Sequence, residues 1–222
     1  MKTLAALALA CLAAAGAPVS PEAHFGHPMG ADYKVLDWAN VVSYFQALER
    51  DSDRVRVREY GRSTEGRPLV YAVIAAPETL RALPRFQQIQ QRLADPRRTP
   101  PEEAAALIAQ GKTVVLITCS IHATEIASTH TAVEYAYKLA TANDPKSLAI
   151  LRNTILLLVP SLNPDGLDLV TRWYRSTLKT PFEGTAPPEL YQKYTGHDNN
   201  RDWYIFSQAE TRATISALHN AW

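Results

Sequence analysis

Cysteine is nearly absent from this 222-residue chain, which has only Cys11 and Cys119. Cys11 sits in an apolar N-terminal run. A mature chain without that run keeps Cys119 alone, which excludes an internal disulfide and leaves stability to the core. Cys119, within an apolar run, reads as a small buried hydrophobe. Charge of one sign is also missing: 23 Lys and Arg against 22 Asp and Glu leave a net +1. That balance excludes a polyanion surface, and no nucleic-acid partner is expected. The longest apolar run, Leu4–Ala15, is too short to span a membrane. Glycine is scarce, nine residues against 15 prolines, a balance of rigid loops that suits an α/β enzyme better than a helical bundle.

The remaining composition is that of a globular protein, 46% hydrophobic and 20% charged, in a chain long enough to bury a core as one domain. Lys2, the Leu4–Ala15 run and the small residues Ala13, Ala15 and Ala17 have the layout of a secretory signal peptide over residues 1–17. An exported protein follows, periplasmic or extracellular, with no stable membrane span in the mature chain. Residues 18–36 read as an extended arm in which His24 and His27 are surface histidines.

The domain occupies residues 37–222. Asp37 caps a helix to Arg50, along which Trp38, Val41, Val42, Phe45 and Leu48 recur at helical spacing. Strands from Val55 and from Leu69 flank a hairpin connection, Gly61–Pro68. Helices are expected over Pro77–Leu93 and Glu102–Gln110. The runs Thr113–Cys119 and Thr154–Val159 suit strands covered on both faces, with a helix between them from Ala123 to about Ala142. Asn143-Asp144-Pro145 turns into a further short helix. From Leu167 the chain reads as irregular and aromatic, and Gln208–Trp222 as a final helix. This alternation predicts an α/β fold, a three-layer αβα sandwich with a mixed, partly parallel sheet and sites at the carboxyl ends of its strands.

Candidate chemistry falls at those strand ends. His122 and Glu125 follow the first apolar run; at helical pitch they share one face and can grip a zinc ion. The spacing alone also arises by chance, and a catalytic zinc site needs a third protein ligand. Asn163-Pro164-Asp165-Gly166 follows the second run. Later, Asn200-Arg201 in an aromatic loop can hold a carboxylate through the arginine fork and an amide, or Arg201 can simply pair with Asp198 or Asp202. Arg175, behind Trp173-Tyr174, can polarise a carbonyl or stack on tyrosine.

Four motifs in order, Gly61-x-Ser63-x-Glu65-Gly66-Arg67, His122-x-x-Glu125, Asn163-Pro164-Asp165-Gly166 and Asn200-Arg201, resemble the zinc metallocarboxypeptidases of the carboxypeptidase A type. The resemblance implies a Zn2+ cofactor on His122 and Glu125, with Asp198 orienting the histidine. It implies Asn200 and Arg201 on the terminal carboxylate of a peptide or protein substrate. Arg175 is implied at the oxyanion, with Arg172 a rival, and Asp202 stands where many relatives have Asn. In the family, zinc polarises the scissile carbonyl while a Glu takes a proton from water. The family's third zinc ligand and general base have no matching position here; His219 is the only later histidine, and it lies on the expected final helix. The expectation is therefore a catalytic domain over residues 37–222 that is incomplete at its C-terminus. Other readings of the same residues are a non-catalytic module that binds peptide carboxylates, or a related zinc deacylase or amidase.

Overall fold

Every residue of β4 (Thr154–Val159) after Thr154 is apolar, and every one is buried, because both faces of the strand are covered. Leu156 and Leu158 join Val70, Ala72 and Ile74 of β2 (Pro68–Ile74) in one core. Ile155, Leu157 and Val159 join Tyr71, Val73 and Ala75 in another. Period-two alternation thus feeds two cores from the same strands. β4 pairs antiparallel with β2 and parallel with β3 (Thr113–Thr118), while β2 pairs antiparallel with β1 (Val55–Arg62). The result is an open mixed sheet in the order β1-β2-β4-β3, with helices on both sides. This computed structural model describes residues 17–222. The signal-peptide expectation concerns residues 1–17 and, apart from Ala17, lies outside the described residues. No helix among the described residues is long and apolar enough to cross a membrane.

The first core is built by α2 (Trp38–Asp51) and α6 (Ile126–Thr141). Asp37 caps α2 as its position before an apolar stripe predicts, accepting from Asn40 N at 3.0 Å. Trp38, Val41, Tyr44, Phe45 and Leu48 form the buried stripe; each such side chain stabilises the fold by about 1.5–3 kcal/mol relative to exposure. The arm before α2 is not wholly extended. It contains α1 (Pro21–Phe25), capped by Ser20, and is tied down where Leu36 N donates to buried His130 Nε2 at 3.2 Å. The second core takes Phe86 and Ile89 from α4 (Leu83–Ala94). The expected Pro77–Leu93 helix is two helices, α3 (Pro77–Arg81) and α4, broken at Ala82. Pro84 has no N–H to continue the first helix and instead occupies the first turn of the second. Next come α5 (Pro101–Gln110), α7 (Pro145–Asn153) and, toward the end of the chain, α9 (Ala209–Thr214), which runs into a π-turn over Ile215–His219.

Two further expectations are corrected. β3 is not covered on both faces: among the described residues it pairs with β4 alone, and Val115 and Ile117 are 37% and 36% exposed. An apolar run shows that a strand suits burial but not which face a helix reaches. The chain after Leu167 is not irregular at first, since α8 spans Pro164–Thr177. Its start signal was present: Asn163 accepts from Gly166 N at 2.9 Å as the cap, and Pro164 sits in the first turn.

Candidate metal centre and carboxylate site

The segment that carries His122 and Glu125 is a turn, not the helix face expected from their spacing. α6 begins only at Ile126, and Glu125 N donates to His122 O at 3.0 Å. The chain leaves β3 through Ser120, a buried residue at φ 47°, a left-handed conformation in which no helix can start. Hydroxyl groups hold that conformation. Ser128 Oγ donates to the Glu125 carbonyl at 2.8 Å, and Ser120 Oγ lies 2.8 Å from Ser128 Oγ and 2.7 Å from Thr129 Oγ1. Thr129 Oγ1 in turn donates to the Pro160 carbonyl at 2.9 Å, just beyond β4. The two strand ends are thereby locked together at the site.

Within the turn, His122 Nδ1 faces Glu125 Oε1 at 3.2 Å, and its Nε2 faces Asp198 Oδ1 at 3.1 Å. A neutral ring that donates Nε2–H to Asp198 keeps its Nδ1 lone pair on the Glu125 side. A carboxylate behind the imidazole in this way is the usual support of a ligating histidine. Burial opposes charge on His122, but Glu125 and Asp198 outweigh it and raise the imidazole's pKa. The donor spacing fits zinc: two ligand atoms about 2.0–2.1 Å from a tetrahedral ion lie about 3.3 Å apart. Among the described residues, however, no set of three or more His, Cys, Asp or Glu side chains is arranged to hold a metal ion. His219 does not complete the pair; it packs edge-on against Trp203 at 6.3 Å.

Asn200 and Arg201 lie on a 3-10 turn, Asn199–Arg201, capped by Asp198, which accepts from Asn200 N at 2.7 Å. Both side chains are exposed. Among the described residues Arg201 makes no ion pair; its guanidinium reaches only the Asn200 carbonyl, at 3.3 Å. The local salt bridge left open by the sequence is not made, because both candidate acids are engaged elsewhere. Asp198 serves His122. Asp202, fully buried, accepts from His197 Nε2 at 2.9 Å, Ser207 N at 3.1 Å and Gln208 N at 3.0 Å. Burial would raise the Asp202 pKa, but these bonds hold it well below the usual carboxylate range.

Arg175 is not brought to this cluster. It lies in the last turn of α8, and its guanidinium donates to Asp37 Oδ2 at 2.9 Å and to the Val35 carbonyl at 2.7 Å, fastening α8 to the start of α2. In this structure the side chain expected at the oxyanion thus serves as a tie between elements. Arg172 is exposed on the same helix.

The other two motifs form one joint. Ser63 Oγ donates to Asp165 Oδ1 at 2.6 Å, Glu65 N to Asp165 Oδ2 at 2.9 Å, and Arg67 bridges Asp165 and Asp168 at 2.8 and 2.6 Å. Burial opposes charge on Arg67, but its carboxylate partners Glu65, Asp168 and Asp165 keep it firmly protonated. Buried Asn163 directs Nδ2 at the Ile121 carbonyl (3.4 Å) and the Tyr191 carbonyl (3.3 Å). Tyr191, which sequence reasoning did not single out, lies edge-on to His122 with ring centroids 6.3 Å apart. Nothing in the sequence separates it from the other nine tyrosines.

The fold is shared with solved carboxypeptidase structures. The chain superposes on the carboxypeptidase A of Helicoverpa armigera with a TM-score of 0.50, 18% identity, and coverage of 85% of this chain and 43% of that one. A metallo-carboxypeptidase from Burkholderia cenocepacia gives a TM-score of 0.51, 19% identity, and coverage of 83% and 38%. Thrombin activatable fibrinolysis inhibitor gives 0.55, 14%, 90% and 45%. At these identities the likeness is one of fold, and the chain spans less than half the length of each of these structures. No curated protein matches the chain. The family model for zinc carboxypeptidases, in contrast, matches residues 41–220. With that match over most of its length, the chain belongs to the zinc carboxypeptidase family, Peptidase_M14.

Proposed function

We propose that this chain supplies the metal pair and the carboxylate clamp of a zinc-dependent carboxypeptidase that removes C-terminal residues from peptides. The observation that carries the proposal is the imidazole of His122 held between Glu125 at 3.2 Å and Asp198 at 3.1 Å, beside an Arg201 that has no acidic partner among the described residues. In this reading His122 and Glu125 hold the ion, and Asp198 fixes the ring and its tautomer. Zinc supplies Lewis-acid polarisation of the scissile carbonyl. The Arg201 fork and the Asn200 amide bind the terminal carboxylate of the substrate, which sets the last peptide bond in register with the metal pair. The Leu4–Ala15 run supports export to the periplasm or the extracellular space.

The clamp is tested by the binding of one fluorescent peptide in two forms, free acid and C-terminal amide. The free acid is expected to bind at least about tenfold more tightly, as one charge-assisted pair supplies, and Arg201→Ala is expected to erase that preference. Equal binding of both forms by the unaltered chain overturns the clamp.

A further inference from the structure

The Asn163-Pro164-Asp165-Gly166 turn carries more than a helix cap. Its Asn163 side chain spends one oxygen on Gly166 N and turns its amide nitrogen toward two carbonyls from distant parts of the chain. One is Ile121, the residue before His122. The other is Tyr191, in the loop that leads to Asp198. Gly166 completes the niche. A Cβ built there would stand 2.7 Å from the Tyr191 carbonyl, 2.7 Å from Asn163 Nδ2 and 2.8 Å from Ala123 Cβ. Only a residue without a side chain lets the Tyr191 backbone come so close. The turn at the end of β4 therefore sets the main chain on both sides of His122.

What this placement delivers to His122 is the ring of Tyr191, edge-on at 6.3 Å and inclined by 64°. The phenol lies in the field of the same site. Its pKa is raised by burial and by the charges of Asp198 and Glu125. His122 thus has Asp198 at one nitrogen, Glu125 at the other and an aromatic ring against its flank. The hydrogen bonds alone leave the imidazole free to tilt about the axis between its two partners; a packed ring removes that freedom.

We infer that Tyr191 is a positioning residue for His122: its ring, seated by Asn163 and Gly166, holds the imidazole in the orientation that places Nδ1 beside Glu125 and Nε2–H on Asp198. The inference rests on the metal reading of the site but concerns the ring's orientation, which exists without metal. The test uses the whole chain and two substitutions, Tyr191→Ala and Tyr191→Phe, with folding verified by amide NMR spectra.

Two readouts are taken: the side-chain 15N shifts of His122 at alkaline pH, where the imidazole is neutral, and zinc affinity by competition with a chelating dye. Tyr191→Ala is expected to mix the two ring tautomers and to weaken zinc about tenfold, the usual cost of losing a ligand's support. Tyr191→Phe is expected to match the unaltered chain in both. An alanine variant with unchanged 15N shifts, or a phenylalanine variant as impaired as alanine, overturns the inference. Absence of zinc binding in all three proteins would refute the metal reading and leave the 15N comparison to decide the role of Tyr191.

Discussion

Gly166→Ala is expected to lower the melting temperature by about 10 °C, the shift that about 3 kcal/mol of overpacking produces in a domain of this size. The added methyl has nowhere to go. Ala123 is completely buried against it, the Asn163 amide is committed to two carbonyls, and the third neighbour is main chain. Of the three, the Tyr191 carbonyl can retreat most readily, because it belongs to a loop rather than to the sheet. Its retreat would carry the Tyr191 ring away from His122, so the damage reaches the site as well as the fold. Thermal unfolding followed by circular dichroism checks the effect. A melting temperature within about 2 °C of the unaltered protein would show that the close approach at Gly166 is dispensable.

Asp202→Asn is the second large effect. Asp202 has no exposed surface and accepts from His197, from the main chain of Ser207 and Gln208, and from the Ser207 hydroxyl. Through these bonds it ties the end of the Asn200-Arg201 turn to the start of α9. An asparagine turns an NH2 group toward donors and gives up the charge, at a cost of about 3 kcal/mol. The pH dependence follows from the depressed pKa of Asp202 in the folded protein. Its contribution is complete above the unfolded carboxylate value of about 3.9 and is lost as pH falls through that value toward the folded one. Urea unfolding should therefore show a large gap between the two proteins at neutral pH and a shrinking gap below about pH 4. A gap that stays constant down to acid pH would mean that the carboxylate charge is not what stabilises the turn.

How much of this was legible in the sequence depended on whether a pattern fixed its own context. The α2 helix was legible because Asp37 and the apolar spacing after it agree, and the structure starts the helix at Trp38. β4 was legible because its run is apolar at every position after Thr154 and both of its faces are in fact covered. β3 carries a similar run, but its cover depends on which elements pack on either side of it, which no local pattern records. α8 was missed because Trp173, Tyr174 and the charges around them hid its apolar stripe, although Asn163-Pro164 announced its start.

At the site, the spacing of His122 and Glu125 showed that the two side chains could meet, as they do at 3.2 Å, but not that the backbone between them is a turn. The Ser120 conformation depends on hydroxyls from α6 and a carbonyl beyond β4. Whether Arg201 was engaged could not be read from its neighbours either. Asp198 and Asp202 both stand within reach in sequence, and only the fold shows one turned to His122 and the other buried with His197. The pairing of Arg175 was hidden for the same reason, since its partner Asp37 is remote in sequence.

Whether His122 and Glu125 form a zinc-holding pair is decided by calorimetric titration of the whole chain with zinc. One ion per chain is expected, bound weakly because among the described residues two protein ligands are brought together where a catalytic site uses three. Binding should be lost in His122→Ala and reduced at least about tenfold in Glu125→Gln. Zinc binding of the same stoichiometry and affinity in all three proteins would place the ion elsewhere and rule out the His122–Glu125 pair.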